Sequence, residues 1–215
     1  MKKVRRILVT AGPTREWFDP VRFISNPSTG EMGYALAREG ARRGYRVTLL
    51  SGPTALRSPR HVRVVPFVTV DELDRAVRQF LKKSDALIMT AAVGDYKPSI
   101  VRSSKMKRSR GMLVRLVSTQ DVLKKAAGRK RGRVVVGFCL ETERPLENAQ
   151  RKLQDKKLDV IVANFYGRQQ NPFGKNKASV FILDDQNRVV RTQSLSKTRI
   201  ASKLLDFLEK HHFRK

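Results

Sequence analysis

Apolar and polar positions along this chain keep switching between two periods, and each switch marks an element. Arg6 to Thr10 is a short apolar run closed by Ala11-Gly12-Pro13, which predicts a strand and a turn. Met32, Ala35 and Leu36 share helical spacing, and Gly44 ends that helix. Tyr45 to Leu50, closed by Ser51-Gly52-Pro53, and His61 to Pro66 have strand character. Thr69 and Glu72 form a capping-box pattern ahead of a stripe of Leu73, Ala76, Val77, Phe80 and Leu81. Asp85 to Thr90 is apolar enough for a strand covered on both faces.

The alternation continues to the C-terminus. Leu113 to Val117 alternates like a strand, and a helix is expected to start near Asp121. Arg133 to Leu140 and Leu158 to Ala163 predict strands, with Leu146, Ala149 and Leu153 marking the helix between them. Ala178 to Leu183 and Arg188 to Gln193 flank Asp184-Asp185-Gln186-Asn187 as a hairpin. A last amphipathic helix carries Ile200, Leu204, Leu205 and Leu208. This pattern predicts an α/β fold: a mainly parallel sheet with helices on both faces, then a C-terminal hairpin and helix. No repeat or linker-like break interrupts it, so residues 1–215 are expected to form a single domain.

Composition narrows the class. The chain is 40% hydrophobic and 30% charged, unlike a disordered tail, and has no apolar run near the roughly 20 residues that cross a bilayer. Cys139 is the only cysteine, which excludes an intrachain disulfide framework and a Cys-rich zinc site and points to the cytoplasm. Two of the three histidines, His211 and His212, are near the C-terminus, so no protein metal site is expected. Lys and Arg outnumber Asp and Glu by 46 to 19, a net charge of +27 that favours anionic partners. Residues 102–133 hold twelve of these basic residues, with Asp121 as their one acid.

In a parallel sheet, ligands gather beyond the carboxyl ends of the strands. The first loop there contains Asn26-Pro27-Ser28-Thr29-Gly30-Glu31-Met32-Gly33 directly before a helix, a pattern suited to holding an anion on backbone N–H groups. The same glycines also suit a turn and a close helix–sheet contact. It is neither a Walker A loop nor a dinucleotide fingerprint, which disfavours an NAD-dependent oxidoreductase. The second loop, Ala91 to Pro98, carries Asp95 and runs into Ser104-Lys105-Met106-Lys107-Arg108, where flexible lysines suit a lid over phosphates. Lys152 and Lys156 lie on one helix face. Cys139 follows Phe138 in an apolar strand and reads as an inert thiol.

Several segments together, in order over nearly the full chain, resemble the phosphopantothenate–cysteine ligase (phosphopantothenoylcysteine synthetase) family of coenzyme A biosynthesis. They are 9–16, 19–26, 28–33, 47–53, Ala91-Ala92-Val93-Gly94-Asp95-Tyr96, Lys105-Met106-Lys107, Val136-Gly137-Phe138, Glu141-Thr142, Lys157-Leu158-Asp159 and Ala163-Asn164. The resemblance implies a Rossmann-like homodimer that joins 4′-phosphopantothenate to L-cysteine through an acyl-nucleotidylate. CTP is the favoured triphosphate and Mg²⁺ its expected companion.

The resemblance also implies roles. Asn26 acts on the acyl intermediate, and Lys105 on the first half-reaction. Ala91, Asp95, Lys105, Asp121, Phe138, Lys152 and Lys156 meet the nucleotide, while Gly12, Ser28, Thr29, Gly30 and Gly33 cradle phosphate or substrate. Glu31 departs from the family's frequent Lys, Thr119-Gln120 precedes Asp121 where Asn-Pro is common, and Cys139-Leu140 replaces two small residues. The chain starts at the ligase's first strand, so a stand-alone enzyme without the flavin-binding decarboxylase domain, FMN or membrane attachment is expected. The competing expectation, prompted by +27, is a basic Rossmann-like module that binds nucleic acid without catalysis.

Overall fold

Buried apolar residues one apart in each central strand face opposite layers, and this sets the architecture. The computed structural model describes residues 5–167, 171, 173–174 and 176–213. Chain order begins with β1 (Arg6–Ala11), β2 (Arg15–Trp17), β3 (Phe23–Ser25), α1 (Glu31–Arg42), β4 (Arg46–Ser51) and β5 (Val62–Pro66). Next come α2 (Val70–Leu81), β6 (Ala86–Met89), β7 (Tyr96–Pro98), β8 (Leu116–Ser118), α3 (Val122–Ala127) and β9 (Val134–Glu141). The chain closes with α4 (Pro145–Asp155), β10 (Val160–Phe165), β11 (Val180–Asp184), β12 (Val189–Arg191) and α5 (Lys197–His211).

Eight strands form one sheet in the order β12-β11-β10-β9-β6-β1-β4-β5. The six from β10 across to β5 are parallel, and β11 and β12 add an antiparallel edge. Numbered along the chain, the parallel strands run 3-2-1-4-5-6, a doubly wound order whose reversal falls between β1 and β6. Ile7, Val9, Ile88, Val136 and Val162 face α1 and α5, whereas Leu8, Leu87, Val135 and Ile161 face α2, α3 and α4. The Thr69–Glu72 capping box forms, with Thr69 Oγ1 accepting the Glu72 N–H at 3.3 Å.

The strand expected over Leu113–Val117 differs. Leu116–Ser118 pairs with β7 in a separate two-stranded arm, and all three of its residues are exposed. Alternation alone does not bring a segment into the sheet when no layer covers its apolar face. The β2–β3 hairpin also escaped the periodicity, because three-residue strands are too short to show a period; Trp17 packs edge-on against Phe23 at 5.0 Å. Among the described residues, no helix is long and apolar enough to cross a membrane.

Candidate active site

Hydrogen bonds across the sheet's reversal point stitch the loop after β1 to the loop after β6. Thr90 Oγ1 donates to the Thr10 carbonyl at 2.6 Å, Ala92 N–H to the Gly12 carbonyl at 2.9 Å, and Gly94 N–H to Thr14 Oγ1 at 2.9 Å. Asn26 joins the same seam: its Nδ2 donates to the carbonyls of Ala92 at 3.4 Å and Val93 at 3.2 Å. That leaves Oδ1 as the outward face of the amide.

Above this seam lies a cleft with two lobes. The first, about 430 Å³, is lined by Asn26, Ser28 to Gly33, Thr90, Asn164 and Lys197. The second, about 370 Å³, is lined by Thr119 to Leu123, Lys152 and Lys156. Ala91, Ala92, Asp95, Phe138, Cys139 and Leu140 line both and form the shared wall.

The first lobe suits an anion for a local reason. Gly30 caps α1 with a φ of 82°, and no side chain bonds to the helix's opening N–H groups. In contrast, Thr69, Asp121 and Ser196 cap α2, α3 and α5 with side-chain oxygens. The first turn of α1 is thus left to a ligand or solvent. Gly33 lets this turn approach the sheet: a Cβ there would stand 2.5 Å from Ala11 Cβ. Gly12 lines neither lobe; it packs beneath them against Gly52 and Gly30.

The second lobe brings together Asp121, Lys152 and Lys156 as the sequence expects. Lys156 Nζ pairs with Asp121 Oδ2 at 2.9 Å, while Asp121 Oδ1 accepts the Lys124 N–H at the start of α3. Lys152 Nζ pairs with Glu141 Oε1 at 2.6 Å. Both ammonium groups are therefore positioned by carboxylates, and Glu141 is a site residue that only the fold reveals. Burial pushes the Cys139 thiol up to about 12, with the Glu141 charge adding to the effect, which agrees with an inert thiol.

Lys105 lines neither lobe and is exposed. Its neighbour Met106 is held by Asp19 and Arg22, so the basic loop is anchored beside the cleft. Much of the remaining cationic charge gathers at the other end of the sheet, where Arg78, Lys82, Lys125 and Arg129 lie by the C-termini of α2 and α3. Basic residues are favoured there by the helix dipole. Among the described residues, the one cluster able to offer three metal ligands is Asp184, Asp185 and His212, also at that far end. Asp184 is already paired with Arg188 at 2.6 Å. The cleft itself fits a metal only as a companion of a bound triphosphate, beside Asp95 or Asp121.

A family model for the DNA/pantothenate metabolism flavoprotein C-terminal domain matches residues 2–211. The bifunctional coenzyme A biosynthesis protein CoaBC of Bacillus subtilis is 40% identical over 188 residues, covering 86% of this chain and 46% of the relative. The chain thus spans about half the length of the curated relatives it matches. The crystal structure of the C-terminal domain of CoaBC superposes with a TM-score of 0.82 at 35% identity, covering 96% of this chain and 94% of that one. A Cab2 H337A mutant in complex with phosphopantothenate-cysteine shares the fold, with a TM-score of 0.78 at 18% identity, covering 96% and 87%. With nearly its whole length matched, the chain belongs to the DNA/pantothenate metabolism flavoprotein C-terminal domain family.

Proposed function

We propose that residues 1–215 work as one domain that joins 4′-phosphopantothenate to L-cysteine with consumption of CTP. The observation that carries this reading is the two-lobed cleft. An anion-ready helix start and Asn26 occupy one lobe, and paired lysines occupy the other, across a shared wall of Ala91, Asp95 and Phe138. The Cab2 structure bound to phosphopantothenate-cysteine supports the same chemistry.

In the first step a pantothenate carboxylate oxygen attacks the α-phosphorus of CTP, the bond to the β-phosphate oxygen breaks, and pyrophosphate leaves. Lys152 and Lys156 hold the triphosphate, and Lys105 closes over it from the anchored loop to offset the charge that builds on the departing group. Phe138 lies beside the base, and Asp95 and the backbone at Ala91 hold the nucleoside. Mg²⁺ bound with the nucleotide supplies further neutralisation of phosphate charge. In the second step the cysteine amine attacks the activated carbonyl, CMP leaves with its electron pair, and the amine sheds its proton. Asn26, on the first-lobe side, interacts with the tetrahedral centre. Amide ligation is redox-neutral, so this unit requires no FMN.

Ile100, Val101, Met112 and Leu113 are exposed on and beside the β7–β8 arm, and a second copy of the chain seated there would cover them in the homodimer that the resemblance implies. The setting is the cytoplasm. A nucleic-acid-binding module predicts binding that weakens steeply with salt and no triphosphate turnover.

The test is pyrophosphate release with each of the four nucleoside triphosphates, with and without phosphopantothenate and cysteine. Release that requires CTP and phosphopantothenate is the expected result; failure to consume any triphosphate refutes the reading.

A further inference from the structure

Lys197 stands where neither burial nor helix electrostatics favours a cation. It is only 9% exposed, and burying a lysine is costly unless negative charge is close by. It is also the first residue of α5, at the positive end of the helix dipole, in a first turn that holds no acid. Burial lowers its pKa, and the charge of Glu31 pulls it back up.

Its position gives these adverse effects a meaning. Lys197 and Ile200, one helical turn apart, both line the first lobe, together with Ser28, Gly30 and Glu31 at the start of α1. Two helix N-termini and one buried ammonium therefore border the same lobe, and Glu31 is the acid that offsets them while no substrate is present.

We propose that Lys197 is the cation that receives the phosphate of phosphopantothenate in the first lobe, with Glu31 as the counter-charge that the phosphate displaces. This rests on the ligase reading and adds to it the residue that distinguishes a phosphorylated from an unphosphorylated pantothenate. An arriving phosphate brings negative charge to the place where a buried ammonium and the α5 dipole both favour it. It also meets repulsion from Glu31, so the two residues tune affinity in opposite directions.

Calorimetric binding of phosphopantothenate, pantothenate and CTP to the full chain separates the outcomes. Lys197→Met is expected to weaken phosphopantothenate binding about 30-fold, the effect of one lost charge-assisted contact. Its CTP and pantothenate affinities should stay within about twofold. Glu31→Gln is expected to tighten phosphopantothenate several-fold, and Lys197→Arg to recover part of the loss. Equal weakening of all three ligands in Lys197→Met, or unchanged phosphopantothenate affinity in a variant that unfolds like the wild type, overturns the assignment while the ligase reading stands. A wild-type protein that binds CTP but neither form of pantothenate removes both.

Discussion

The buried Asp19 carboxylate accepts the Met106 N–H at 3.1 Å, and Arg22 donates to the Met106 carbonyl at 3.1 Å. Lys105 is the preceding residue, so the basic loop is pinned at its base while the exposed lysine can swing over the cleft.

Loss of the Lys105 charge is therefore expected to remove the first half-reaction. Lys105→Ala should form no acyl-cytidylate, and Asp19→Asn should form it about tenfold more slowly, because the pinned base is loosened. Rapid-quench mass spectrometry reads both, and a normal burst of intermediate in Lys105→Ala contradicts the assignment.

Asn26 is expected to act later. A carboxylate in its place cannot donate to the Ala92 and Val93 carbonyls, and it puts negative charge beside the tetrahedral centre. Asn26→Asp should accumulate acyl-cytidylate and slow amide formation about 100-fold or more. Equal loss of both half-reactions would point to a collapsed loop instead.

Lys152 and Lys156 each have to turn from a carboxylate to the triphosphate. Replacing either with Ala should raise the KM for CTP about tenfold or more and leave that for phosphopantothenate unchanged. Glu141→Gln, which releases Lys152, should lower the KM for CTP. Steady-state kinetics with each substrate varied in turn decides this.

Gly33→Ala tests the closeness of α1 to the sheet. The new Cβ would lie 2.5 Å from Ala11 Cβ, 2.7 Å from Thr90 Oγ1 and 2.8 Å from the Thr10 carbonyl, so α1 must lift. Such overpacking costs about 1–3 kcal/mol and should lower the thermal midpoint as well as weaken phosphopantothenate binding. A variant with wild-type stability would show that α1 yields without strain.

Acid should weaken the contact between α1 and α5. Hydrogen bonds from Arg42 and then Arg43 hold the Glu39 carboxyl down to about 2, against an ordinary 4.5. Its folded-state pKa is depressed, so its stabilisation is complete above 4.5 and is lost as pH falls towards 2. The contribution is at most about 3 kcal/mol, reduced because Arg42 is largely exposed. Glu39→Gln should lower stability at neutral pH and flatten its decline through that acid window in denaturant titrations; an unchanged acid profile would assign the decline to other groups.

Properties set by neighbours in the chain are legible in the sequence itself. The apolar runs of Arg6–Thr10 and Asp85–Thr90, the capping box at Thr69 and Glu72, and the Ser28–Gly33 turn before a helix all follow from relations within a few residues. Strands alternating with helices also imply the parallel sheet, and so put the ligand loops at its carboxyl end. The ordered motifs add the roles.

What the chain brings together from far apart was settled only by folding. Asn26 meets Val93 across 67 residues, Lys156 finds Asp121, and Lys152 finds Glu141. Lys197 reads as one more cation among 46 until the packing of α5 buries it in the wall of the first lobe. Leu113–Val117 alternates like a core strand yet remains outside the sheet. A local pattern records which face of an element is apolar, but whether another layer arrives to cover that face depends on the rest of the fold.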